Sequence, residues 1–120
     1  MGYQSFEDLE VWKRGKKLSV ELTNYLKSCS DYAFKDQVLR SAISIPSNIA
    51  EGAERQSKKE FKYFLNVAKG SAAELRTQIY IGMETGIVDK ELGKRLIEEL
   101  KELSSMMQGL IKSLDKKLNT

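Results

Sequence analysis

The chain of 120 residues is 41% hydrophobic and 31% charged, with one proline, one cysteine and no histidine. That length predicts a single domain over residues 1–120 with one core, and the balance of apolar and charged residues excludes a disordered tail. The missing histidine removes the commonest general base and metal ligand, the lone Cys29 excludes an internal disulfide framework or a cysteine-rich zinc site, and 20 basic against 17 acidic side chains leave a mild net charge of +3.

The apolar periodicity predicts four helices. The first runs from about Phe6 to Ser28, with Ser5 three residues before Asp8 as a capping box in which Asp replaces the usual Glu. Val11, Gly15, Leu18, Leu22, Tyr25 and Cys29 recur at alternating spacings of four and three, and Leu9 and Trp12 widen that stripe. The break at 28–31 supplies capping side chains for the next helix.

The second helix runs from Asp31 to Glu51 or slightly beyond, with Phe34, Val38, Ala42, Ile45 and Ile49 on one face. Pro46 lies inside this pattern, where it removes an amide donor and crowds the carbonyl of Ala42. The apolar face continues past it, so the reading is a kink and not a stop, with Asn48 available to satisfy backbone groups that Pro46 frees. Ser57 and Glu60 form a capping box before the third helix, whose face reads Phe61, Leu65, Ala68, Ala72, Leu75 and Ile79. Gly86 fits the left-handed position past its end, with Ile87 as hydrophobic partner, and Asp89 caps the fourth helix. The fourth interleaves Leu96–Leu103–Leu110 with Leu100–Met107–Leu114, a knobs-into-holes seam. Short connections make neighbours antiparallel, so the predicted fold is an all-α, antiparallel, up-down-up-down four-helix bundle.

Chemistry-bearing residues are few. No Ser-His-Asp or Cys-His arrangement can form without histidine, and Lys69-Gly70-Ser71 lacks the upstream glycine spacing of a phosphate loop. No metal site or cofactor is expected. Glu51 and Glu74 lie close to apolar faces, with Arg40 and Arg55 as candidate partners. A structural ion pair or hydrogen-bonded cap accounts for them better than acid–base catalysis, which needs a pocket and a raised pKa. Cys29 reads as a small apolar filler. Two basic clusters stand out: Lys13 and Lys17 with Arg14 and Lys16, and Lys62, Lys69 and Arg76 at intervals of seven, which form one helical stripe with Lys58 and Lys59 just upstream. Such a stripe reads either as a solvated flank or as a strip contacting phosphates. Val20, Tyr63, Val67, Tyr80, Ile97, Met106 and Ile111 fall outside the main seams and suggest a second contact surface. No uncharged stretch exceeds ten residues (Ser41–Ala50) and no secretory signal is visible, which points to a cytoplasmic protein without a membrane span.

Three stretches carry a family resemblance. They are Phe6-x-x-Leu9-x-Val11-Trp12; Arg40 with Ser44-Ile45-Pro46-Ser47-Asn48-Ile49-Ala50-Glu51-Gly52 and Arg55-x-Ser57; and Glu60-Phe61-x-x-Phe64-Leu65-x-x-Ala68-x-Gly70-Ser71-x-x-Glu74-Leu75-x-Thr77. Over residues 6 to about 80 the chain resembles the 23S ribosomal RNA intervening-sequence proteins of bacteria, while its fourth helix matches only as a generic amphipathic segment. The resemblance implies a four-helix bundle assembled as a homopentamer, with no assigned biochemical activity. A related branch, the accessory variability determinants of diversity-generating retroelements, implies nucleic-acid binding and association with a reverse transcriptase. The resulting expectation is a non-enzymatic, oligomeric RNA- or DNA-binding accessory protein whose contacts include Lys13, Lys17, Lys62, Lys69 and Arg76. Arg40, Asn48, Glu51, Arg55 and Glu74 form a structural polar motif in this reading. A protein-interaction scaffold with no nucleic-acid role is the alternative.

Overall fold

The computed structural model describes residues 5–118. A short 3-10 turn (Phe6–Asp8) precedes four α-helices: α1 (Glu10–Tyr25), α2 (Tyr32–Glu54), α3 (Lys58–Glu84) and α4 (Lys90–Leu118). No strand occurs among the described residues.

Local chemistry sets most helix ends. The Asp31 carboxylate accepts from the amide of Phe34 (3.1 Å) at the start of α2. Ser57 Oγ accepts from the Glu60 amide (3.0 Å) at α3 and donates to the Glu60 carboxylate (3.2 Å). Asp89 accepts from the Leu92 amide (3.1 Å) at α4. Each satisfies a donor that the first helical turn leaves without a partner. Gly86, at φ +81°, turns the chain after α3, a conformation costly for any residue with a Cβ.

Two details depart from the sequence reading. Ser5 Oγ accepts from the Glu7 amide (3.2 Å) and donates to the Glu7 carboxylate (2.9 Å), so no box forms with Asp8. Leu9 is extended (φ −74°, ψ 128°), which ends the 3-10 turn and delays α1 to Glu10. The bend lets Phe6 meet Trp12 edge-on, with ring centroids 5.2 Å apart. After α3 the residue that closes over the helix end is Val88, not Ile87. Val88 is 3% exposed, and its amide donates to the Gly82 carbonyl at 3.0 Å.

The helices pack in antiparallel register, since contacts pair rising with falling residue numbers. Between α1 and α4, Arg14 meets Glu102 and Tyr25 meets Asp89. Between α2 and α3, Ser44 meets Ser71. Between α3 and α4, Lys62 meets Asp115 and Lys69 meets Gln108. Each helix touches two neighbours, and α1 and α3 occupy diagonal corners of a bundle 50 Å long and about 20 Å across. Leu22, Ile45, Leu65, Leu75 and Leu100 are fully buried on the axis. Each such side chain contributes on the order of 1.5–3 kcal/mol by leaving water. Ile97 and Ile111 are buried as well, while Leu110 is only partly so. Because α4 faces both α1 and α3, it buries a stripe wider than a two-position seam.

Helix α2 runs through Pro46 without a break. The carbonyl of Ala42, which Pro46 deprives of its amide partner, accepts instead from the hydroxyl of Ser19 on α1 (2.9 Å). Asn48 does not take that role; its amide nitrogen donates to the carbonyl (2.8 Å) and hydroxyl (2.9 Å) of Ser44. Gly15 lies against Ile45 and the Pro46 ring, so α1 approaches closely where the proline faces it.

Candidate nucleic-acid interface

The basic stripe on α3 lies along its border with α4. Lys62 is ion-paired to Asp115 (2.7 Å), and Lys69 donates to the side-chain oxygen of Gln108. Arg76 has no ion pair or side-chain hydrogen bond among the described residues. Lys13 and Lys17 are exposed on α1, Lys13 beside Glu10 at 3.5 Å. Because α1 and α3 do not touch, the structure does not merge these two clusters into one face.

Residues from different helices do gather at the ends of the bundle. The end near the α2–α3 connection collects residues 5–17, 44–71 and 104–118, with 12 Lys and Arg against 7 Asp and Glu, a charge of 12 − 7 = +5. The opposite half, residues 18–43 and 72–103, has 8 against 10, or −2. Lys58, Lys59, Lys112 and Lys116 at the positive end are exposed and unpaired among the described residues. Nothing in the linear sequence announces this separation, because the contributing segments are far apart along the chain. Arg76 falls in the acidic half, where Arg95 bridges Glu21 of α1 and Glu99 of α4. Hydrogen bonds to Glu21 and Glu99 raise its guanidinium pKa above the ordinary arginine value.

The polar motif of α2 and α3 divides into separate pieces. Arg55 bridges Glu51 (2.8 Å) and Glu60 (3.3 Å) across the α2–α3 connection and covers the Phe64 ring at 5.0 Å. Arg40 pairs with Asp36 (3.1 Å) and not with either predicted glutamate. Glu51 and Glu74 are solvent-exposed rather than part-buried, since both occupy outward positions of their helices. Asn48, Ser44 and Ser71 form a small hydrogen-bonded cluster between α2 and α3. Next to it, Glu74 lines an open groove of about 300 Å³ together with Gln78 and Arg40. Gln78 is a residue that sequence reasoning passes over, since a glutamine on a helix flank carries no pattern of its own.

Among the described residues, no three His, Cys, Asp or Glu side chains cluster as metal ligands, and no helix is long and apolar enough to cross a membrane. Of the surplus apolar residues, Val20, Tyr63 and Tyr80 are exposed, and Val67 and Met106 are half-buried.

A family model, the 23S rRNA-intervening sequence protein, matches residues 7–109. The chain belongs to that family. Its fold is similar to the crystal structure of a protein of unknown function from the S23 ribosomal protein family of Bacteroides thetaiotaomicron. The TM-score is 0.79 at 24% identity, over 85% of this chain and 98% of that one. No curated protein matches. Membership of the 23S rRNA-intervening sequence family thus agrees with the three sequence motifs, and the match extends into α4 beyond them.

Proposed function

We propose that this family member is a non-enzymatic accessory protein that holds the phosphate backbone of a structured RNA or DNA at the basic end of its bundle. The observation that supports the reading is the separation of +5 from −2 along a 50 Å rod, with Lys58, Lys59, Lys112 and Lys116 exposed at the positive end. Phosphate contacts of this kind act by releasing counterions and need no catalytic group. Lys13, Lys17 and Lys62 lie in the same half and add to the field, with Lys69 nearer its border. Arg76 lies in the other half, which makes it the weakest contributor of the five residues read from the sequence.

The family resemblance further suggests that the protein works as a homopentamer. Five basic ends on one side of a ring would multiply weak contacts into useful avidity. Light scattering on the purified protein tests the assembly. Fluorescence anisotropy with a structured RNA tests the binding. Affinity should fall about 50- to 150-fold between 50 and 200 mM salt if about four phosphates are neutralised, and Lys58→Glu with Lys59→Glu should weaken it further. Absence of binding at both salt concentrations would end this reading.

The interaction-scaffold alternative is favoured by one observation, the exposed Val20 and Ile43 beside Pro46 in a groove between α1 and α2. It requires that the lysine reversals leave partner binding unchanged while Val20→Asp abolishes it.

A further inference from the structure

We infer that this chain meets a second copy of itself through two different surfaces: the apolar groove between α1 and α2 of one copy, and the outward side of α3 of the next. Only self-association is carried over from the assembly proposed above; nucleic-acid binding plays no part.

The outward side of α3 has a pattern of its own. Tyr63, Val67, Gly70, Glu74, Thr77 and Ile81 recur at alternating spacings of four and three, on the flank opposite the buried Leu65, Ala72 and Ile79. Tyr63 is 63% exposed and Ile81 51%. Gly70 stands inside a helix of 27 residues, where glycine is less favourable than alanine. A Cβ there would meet nothing within 4 Å, so packing inside the bundle gives no reason for the glycine. A missing side chain at the centre of an outward seam is a hole that a neighbouring surface can enter.

The groove supplies the counterpart. Val20 (53% exposed) and Ile43 (49% exposed) stand beside Pro46 in a depression of about 330 Å³. Ser19 meets Ala42, and Ser44 meets Ser71, so Val20, Ile43 and Gly70 lie at one level of the bundle on different sides of it. Copies set side by side without an axial shift therefore place two exposed branched side chains against the hole at Gly70.

Charge decides which surfaces meet. Lys16 is the one charged residue lining the groove, and Glu74 is the one charged member of the seam. Lys16 lies over the Trp12 ring at 5.0 Å, and neither it nor Glu74 has an ion pair among the described residues. Groove on groove brings lysine towards lysine, and seam on seam brings glutamate towards glutamate, so both pairings of like surfaces are opposed. Groove on seam brings Lys16, at the level of Gly70, to within about one helical turn of Glu74. The contact is thus heterologous: each copy offers both surfaces, and repetition of the contact closes a ring where the rotation permits. Without an axial shift the basic ends of all copies fall on one side of that ring.

Disulfide cross-linking of the full chain, in a Cys29→Ser background, tests the pairing. Oxidised Val20→Cys/Gly70→Cys should give a ladder of linked species that runs up to the full assembly. Neither single cysteine variant should cross-link, because like surfaces do not meet. An equal mixture of the two single variants should give dimers and nothing larger. By light scattering, Val20→Asp and Gly70→Leu should each raise the concentration at half-assembly about tenfold or more, as loss of a central contact does, with circular dichroism unchanged. Lys16→Glu or Glu74→Lys should raise it about two- to fivefold, and the double reversal should restore it. A monomeric unaltered protein, efficient dimers from either single cysteine variant, no linked species from the double variant, or an assembly indifferent to both Val20→Asp and Gly70→Leu would each overturn the pairing. The proposals fail separately. A pentamer in which positions 20 and 70 do not cross-link removes only this one. Cross-linked rings that bind no RNA at either salt concentration remove only the nucleic-acid reading.

Discussion

Ser19→Ala should test the account of how α2 tolerates its proline. Ser19 is 8% exposed, and its hydroxyl donates to the carbonyls of Ala42 (2.9 Å) and Gly15 (3.0 Å). The Gly15 carbonyl keeps its helical amide partner when the hydroxyl is removed. The Ala42 carbonyl does not, because the residue four positions on is Pro46. Loss of the hydroxyl leaves a buried acceptor unsatisfied, at a cost of about 1–3 kcal/mol. In a Pro46→Ala background the new amide at position 46 bonds Ala42 directly, so the same Ser19→Ala change should cost less than about 1 kcal/mol. The double-mutant cycle should therefore show a coupling of about 1–2 kcal/mol, above the few tenths by which independent sites depart from additivity. Equilibrium urea unfolding at one fixed protein concentration measures all four variants. Equal costs of Ser19→Ala in the two backgrounds, within about 0.5 kcal/mol, would refute the claim that Ser19 replaces the donor Pro46 lacks.

Gly52→Ala and Gly70→Ala should move stability in opposite directions under urea. A Cβ at position 52 would sit 2.7 Å from Phe64 Cβ and 3.2 Å from the Phe61 carbonyl, an overpacking cost of about 1–3 kcal/mol that outweighs the helix-propensity gain. A Cβ at position 70 meets nothing within 4 Å, so that change should stabilise by about 0.5–1 kcal/mol. Leu100→Ala, at a fully buried position touching the bundle axis, should cost about 2–5 kcal/mol and lower the thermal midpoint accordingly. Arg95→Ala breaks two exposed ion pairs and should cost less than about 1 kcal/mol, an effect that 1 M salt largely removes. Because the folded-state pKa of Arg95 is raised, its contribution is present throughout the neutral range and is lost as pH climbs past the arginine range.

The number of helices, their caps at Ser57 and Asp89 and most of the core were legible in the sequence, because periodicity and capping are local signals. The boundaries of α1 were less so. Leu9 leaves helical backbone to seat Phe6 on Trp12, and the hydroxyl of Tyr25 is tied to the Asp89 amide (2.9 Å) across 64 residues. Ile97 and Ile111 read as surplus because a seam drawn on one helix cannot show that the helix has two neighbours. The candidate site was legible only in fragments. Lys62, Lys69 and Arg76 do share a stripe, but the first two spend their charge or hydrogen bonds on Asp115 and Gln108 of α4. Glu74 was visible as a carboxylate of interest, whereas its place beside Gln78 and Arg40 along one groove depends on how α2 and α3 meet.

The unequal ends of the bundle also give it an electric moment along its length. In dilute salt a polyanion exerts a torque on such a body before any side chain touches it, turning the α2–α3 connection forward and the α3–α4 connection away. Encounters would then begin in one orientation rather than in many, and that advantage would fade as added salt shortens the screening length well below the 50 Å length of the bundle.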